Sequence, residues 1–360
     1  MSSTLTPSKP RAENNGLAAS KMESRVDVCE ADFLAGAILT KQLVNTEPGV
    51  MSMHRELRSA VTVVIAGGSG FLGQKLASLF EGQGHRAVTL SRRAGRSEEA
   101  STVIPWQPDG SPGDLPRHLE GVEALVNLAG EGLADKRWNA SRKEAIRRSR
   151  ILATRTLVRA VAACARPPRV FVSGSAVGYY GPRGDEPIVE TVAPGSDFLA
   201  RLCVEWEQEA QAAASPATRL VIIRTGLALA KGGGALAKML LPFKLGLGAT
   251  LGPGDQYMPW IHADDWTAMV AWAIGNERAD GALNLTAPEP VTNRAFTRTL
   301  GRVLKRPAVL RAPSIVLQAA MGEMSTMLLT GQRVLPARAE QLDFRFTHRT
   351  LESALRSLNL

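Results

Sequence analysis

Seven consecutive residues, Gly67, Gly68, Ser69, Gly70, Phe71, Leu72 and Gly73, have the spacing of a phosphate-binding turn. Glycines so placed permit positive φ, let backbone N–H groups approach a pyrophosphate, and let a helix pack closely on the strand before it. They lie between an apolar run, "VTVVIA", and a helical pattern beginning "FLGQKL", so the helix N-terminus faces the same anion. The chemistry implied is dinucleotide binding. About twenty residues on, "VTLSRR" ends in Ser91, Arg92 and Arg93, where an NAD site usually places Asp or Glu against the ribose 2′-OH. Guanidinium groups bind phosphate strongly and often bidentately, so the expected cofactor is NADP(H), held by its 2′-phosphate. The alternative is that these arginines merely end an exposed strand.

Such residues need a scaffold, and the sequence supplies one. From residue 61, strand-like runs alternate with helical patterns: "VTVVIAG", "AVTLS", "TVIPW", "ALVNLAG", "RVFVSGSA" and "RLVIIRTGLAL". This alternation indicates βαβ units and a parallel sheet, hence an α/β fold of the Rossmann, doubly wound type. A helix is expected to open with a capping box, Ser141 to Glu144, and to carry Ile146, Ala153, Leu157 and Val161 on one face. Beyond residue 230 loops and helices dominate, with "ALNLTAP" as a further strand. The expected organisation is a flexible leader over 1–58, a cofactor domain over 59–230, and a smaller, mainly helical C-terminal lobe over 231–360 that shapes the substrate pocket. Met51 or Met53 is an alternative start within the leader, whose acidic "CEAD" before "FLAGAIL" does not suit a signal peptide.

Composition narrows the function classes. The 360 residues are 44% hydrophobic and 21% charged, as expected of a globular protein rather than a disordered one. No apolar run reaches the roughly 18 residues of a membrane span, so no membrane partner is expected. The three cysteines are scattered without a CxxC, and the five histidines form no HxxxH pair, so a reducing cytoplasmic setting and no metal are expected. The net charge of +9 is partly concentrated in a basic helix over 136–159. A solvated arginine face explains that helix better than nucleic-acid binding, which stays a weak exception.

With "GGSGFLG", the "NLAG" after the fourth strand, "VSGSAVGYYG" after the fifth and "WIHADD" further on, the chain resembles the extended short-chain dehydrogenases/reductases, the NAD-dependent epimerase/dehydratase group. "KRW", "FLARLCVEWE" and the tail "GQRVLPARAEQLDFRFTH" resemble its atypical epimerase-like branch, which has a C-terminal domain of unknown function of the DUF1731 kind. The resemblance runs from about residue 61 to the end and implies cofactor contacts from Gly67, Gly70, Gly73 and Arg92, with Asn127, Leu128, Ala129 and Gly130 on the adenosine-ribose side. It also places Ser175 at the family's catalytic serine.

The family's usual Tyr-x-x-x-Lys pair is absent. Tyr179 is followed four residues later by Arg183, Tyr180 by Gly184 and Tyr257 by Ile261. Alignment puts Asp197 at the tyrosine and Arg201 at the lysine. Arg201 can hold the nicotinamide ribose, but aspartate is a poor replacement for a phenol as proton donor. Tyr179 and Tyr180, close to Ser175, suit either the missing acid or core packing. His262 is expected to be structural, and Asp264 or Asp265 to be a helix cap. The expected function is an NADP(H)-binding, epimerase-like oxidoreductase acting on a small polar substrate, sugar- or nucleotide-linked molecules being candidates. The alternative is an NADP(H)-binding regulatory or redox-sensing protein with little catalysis. A monomer or homodimer is expected.

Overall fold

The computed structural model describes residues 60–92 and 102–360; Arg93 and the expected leader lie outside them. Seven strands form one sheet: β1 (Thr62–Ala66), β2 (Arg86–Ser91), β3 (Thr102–Pro105), β4 (Ala124–Asn127), β5 (Val170–Ala176), β6 (Arg219–Thr225) and β7 (Gly281–Leu285). Their spatial order is β7-β6-β5-β4-β1-β2-β3, and every neighbouring pair is parallel. The order reverses between β1 and β4, the switch point where open α/β sheets bind ligands beyond their strand carboxyl ends. The seventh strand is the "ALNL" run, which the chain contributes from beyond residue 230.

Alternation within β1 decides which residues face which layer. Val63 and Ile65 join one core with Leu76, Ala77 and Phe80 of α1 (Phe71–Gly82). Val64 and Ala66 join the opposite core with Leu157 and Val161 of α2 (Ala140–Ala162) and Ala210 of α3 (Phe198–Gln211). Period-2 side chains on a strand covered on both sides produce this division.

Helix α2 departs from expectation at its start and along one face. Its cap is Asn139, whose side chain accepts from the Arg142 amide at 2.7 Å, rather than Ser141. Asparagine is at least as good a cap as serine and lies two residues earlier. Ile146, expected to share a face with Leu157, instead packs with Trp138, Leu202 and Met324. The helix's basic residues are largely paired: Arg147 with Glu205, Arg155 with Glu209, and Lys143 with Glu323.

The later part of the chain contains α4 (Gly234–Lys244), α5 (Ala263–Gly275), α6 (Asn293–Leu304), α7 (Ser314–Met321) and α8 (Leu351–Ser357). Leu236 and Leu240 of α4, Phe296 and Leu300 of α6, and Leu351 and Leu355 of α8 surround the buried Trp260 in a core of their own. Among the described residues no helix is long and apolar enough to cross a membrane.

Candidate functional site

The glycine turn leaves β1 at the switch point. Gly67 has φ +81°, and a Cβ on it would lie 2.8 Å from the Leu128 carbonyl, so the turn touches the segment that follows β4. Gly73 has no room either: its Cβ would lie 2.4 Å from the Gly67 oxygen. Helix α1 therefore starts directly on the turn. Gly70 occupies its N-cap and supplies no side-chain cap, and the first turn holds no acidic residue. The orphan N–H groups of that turn and the positive end of the helix dipole are left to an external anion.

The strands on either side of β1 carry other predicted cofactor residues. Thr89 of β2 sits 2.5 Å from where a Gly68 Cβ would be, and two residues further along that strand come Ser91 and the exposed Arg92. Ser69 is exposed and Phe71 and Leu72 are half-buried at the helix start. Asn127 is wholly buried; its amide donates to Thr154 at 2.9 Å while its oxygen accepts from the Ala129 amide. Thr154 also accepts from the Trp206 indole at 2.8 Å, so one network fixes the end of β4 to α2 and α3. Gly130 is exposed beside the Arg150 side chain.

The predicted catalytic residues fall into distinct environments. Ser175, at the end of β5, is buried and donates to Glu207 of α3 at 2.6 Å. The Glu207 carboxylate also accepts two bonds from Arg224 of β6, at 2.9 and 2.8 Å, which makes a bidentate ion pair. Arg224 then donates to the Tyr180 hydroxyl at 2.9 Å, and that hydroxyl donates to Asn284 of β7 at 2.7 Å. Ser175, Arg224 and Asn284 are register partners across β5, β6 and β7, which is why the sheet brings them together. Burial pushes the Tyr180 phenol up to about 12, against the pull of Arg224. Burial also drives the Cys203 thiol to about 12, and the neighbouring Glu207 adds to that. Arg224 lies above the ordinary arginine value, because its bonds to Glu207 outweigh its desolvation.

Tyr179 is different. It is half-buried, its ring lies 3.5 Å beneath the Arg224 guanidinium, and its hydroxyl bonds to no described residue. Asp197 caps α3 by accepting from the Ala200 amide at 2.7 Å, and Arg201 is exposed on the first turn with its guanidinium on the Ser196 carbonyl. Glu207, Arg224 and Asn284 were not foreseen from the sequence. The available signal was polar residues inside strand runs, Arg224 in "VIIRTG" and Asn284 in "ALNL".

His262, 2% exposed, and not the expected Asp264 or Asp265, caps α5 by accepting from the Asp264 amide at 3.1 Å; both aspartates lie inside the first turn, and the His262 ring lies 4.0 Å from that of His348, inclined to it. Burial, and then His348, lower its pKa. Its ring nitrogen, an Asp264 carboxylate oxygen and His348 lie close enough to share a cation. However, Lys75 pairs with Asp264 at 3.3 Å, and the positive end of α5 opposes a metal there.

Comparison with known proteins agrees with this geometry. Residues 63–285 match the NAD dependent epimerase/dehydratase family, and residues 312–358 match a domain of unknown function, DUF1731. An epimerase family protein of Mycobacterium tuberculosis is 40% identical over 294 residues, 81% of this chain and 96% of the relative. The crystal structure of human epimerase family protein SDR39U1 with NADPH superposes with a TM-score of 0.76 at 34% identity, covering 82% of this chain and 98% of the human one. A nucleoside-diphosphate sugar epimerase from Corynebacterium glutamicum gives a TM-score of 0.68 at 33% identity, over 83% of this chain and 58% of the bacterial one.

Proposed function

The chain belongs to the NAD dependent epimerase/dehydratase family, and from that premise we propose that it is an NADP(H)-dependent, epimerase-like oxidoreductase acting on a small polar, sugar- or nucleotide-linked substrate. The observation that carries the cofactor assignment is the uncapped start of α1 on a glycine turn at the switch point, with Arg92 beyond the adjacent strand. NADPH in the structure of the human relative supports it.

In this reading the first-turn amides of α1 hold the pyrophosphate and Arg92 holds the 2′-phosphate, with Arg93 beside it in sequence. Asn127, Leu128, Ala129 and Gly130 border the ribose, their backbone fixed by the Asn127–Thr154 bond. Arg201 uses one of its donors on Ser196, and the remaining guanidinium N–H groups are available for the nicotinamide ribose. When bound, the nicotinamide supplies or accepts hydride. The accompanying proton needs a phenol within reach of substrate, and Tyr179 fits that role. Tyr180 does not, being fully buried, committed at its hydroxyl and pushed up to about 12. Glu207 and Arg224 act as positioning residues, orienting the Ser175 hydroxyl and the Tyr179 ring.

One observation favours a second reading, an NADP(H)-binding regulatory protein with little turnover: the Ser175 hydroxyl already donates to Glu207 and is not free to donate to a substrate. The test is single-turnover NADPH oxidation with a panel of sugar nucleotides and their keto forms. Tyr179→Phe should abolish hydride transfer and leave NADPH affinity within about twofold, since the phenol is not assigned to the cofactor. Activity retained in Tyr179→Phe removes the assigned proton donor, and no turnover in the wild type with any of the panel favours the regulatory reading.

A further inference from the structure

Helix α7, Ser-Ile-Val-Leu-Gln-Ala-Ala-Met, is mainly apolar and yet buries none of its side chains. Ile315 is 74% and Val316 55% exposed, and the preceding Val309 is 83% exposed. Leu241, Leu245 and Leu247, at and beyond the end of α4, are each more than half exposed. These residues belong to one surface. The strand Leu310–Ala312 pairs in parallel with Ala249–Leu251, Gly246 lies against Pro307, and Ser314 at the start of α7 lies against Gly252. A contiguous apolar surface of this kind marks a contact face rather than ordinary scattered exposure.

The two segments that build this face are basic, and the acidic groups near them, Asp135 and Asp255, are paired with Lys238 and Arg294. No Asp or Glu occurs within these segments, residues 231–254 and 290–322. Lys244, Lys305, Arg306 and Arg311 are exposed there and form no ion pair with a described residue. A second copy of the chain would bring like charges together on docking. Single-stranded nucleic acid would call for aromatic stacking platforms, and the exposed apolar side chains here are aliphatic. Aliphatic side chains ringed by Lys and Arg suit an interface that is hydrocarbon below and phosphate above.

We propose that the face formed by α7, the end of α4 and the segment between α6 and α7 docks on the surface of an anionic phospholipid bilayer. Ile315, Val316, Val309 and Leu247 enter the headgroup boundary, and Lys244, Lys305, Arg306 and Arg311 meet lipid phosphates. The contact is peripheral, so the absence of a spanning helix among the described residues does not bear on it.

The test is co-sedimentation of the full chain with vesicles of phosphatidylcholine alone or mixed with phosphatidylglycerol. The proposal expects binding to the mixed vesicles only, weakened by salt, because each Lys or Arg near an anionic surface is worth about fivefold in binding. Ile315→Asp and the double change K305E/R306E should each weaken binding by at least about tenfold. Their melting temperatures should match the wild type, since the altered side chains are exposed. Failure to bind mixed vesicles, equal binding to both kinds, or unchanged binding in both variants overturns the proposal. A wild-type dimer that Ile315→Asp dissociates, without vesicle binding, also overturns it and gives the face to a second copy.

Discussion

Replacing Glu207 tests whether the buried network holds this part of the sheet together. Glu207 is 8% and Arg224 5% exposed, and the carboxylate accepts from Ser175 at 2.6 Å and twice from Arg224 at 2.9 and 2.8 Å. Glu207→Ala leaves a buried guanidinium without its anion, at a cost of about 3–5 kcal/mol. That is a large share of a domain stability of about 5–15 kcal/mol. Arg224→Met strands the carboxylate instead and should cost a similar amount, with a smaller share from the freed Tyr180 hydroxyl. The double change Glu207→Gln with Arg224→Met strands no charge, and should cost less than the sum of Glu207→Gln and Arg224→Met by at least about 2 kcal/mol. Urea denaturation of all four variants measures these quantities. A loss below about 1 kcal/mol in Glu207→Ala, or strictly additive effects in the double-mutant cycle, would refute the assignment of a buried, charge-paired centre.

Two further substitutions act on specific contacts. Gly73→Ala places a methyl group 2.4 Å from the Gly67 oxygen and 2.6 Å from the Gly68 Cα, so the turn must open; it should destabilise by about 1–3 kcal/mol and weaken NADPH binding at least about tenfold, read by melting and by fluorescence titration. His262 has a folded pKa below its unfolded value of about 6.5, so its contribution to stability is full above that value and is lost as pH falls through the window beneath it. His262→Asn, which keeps a capping side chain, should therefore reduce the fall in melting temperature between about pH 7.5 and 5.5, and an unchanged fall would assign that slope to other groups.

The glycine turn between a strand and a helix was legible in the sequence because its logic is local. A strand, a glycine turn and a helix within about a dozen residues constrain one another, and the adjacent strand follows within about twenty. The sheet was legible for the same reason, most of its strands being largely apolar runs covered on both faces. Boundaries were less so: Asn139 and Ser141 are both competent caps, and only tertiary packing around Trp138 and Ile146 selects the earlier one. The Ser175–Glu207–Arg224–Tyr180–Asn284 network was not legible. Its members are spread over more than a hundred residues, and their meeting depends on the parallel register of β5, β6 and β7. Reading Tyr179 and Tyr180 as interchangeable was the best that adjacency allowed; the structure separates them, one stacked under Arg224 with its hydroxyl bonded to no described residue, the other sealed in the core.

Calorimetric titration of NADPH against NADH tests directly whether the glycine turn and Arg92 form a site for a 2′-phosphorylated dinucleotide. NADPH should bind at least about tenfold tighter, a difference of about 1.4 kcal/mol, and Arg92→Ala should erase most of this preference without affecting NADH. Equal affinity for the two nucleotides, or a preference that survives Arg92→Ala undiminished, would contradict this assignment.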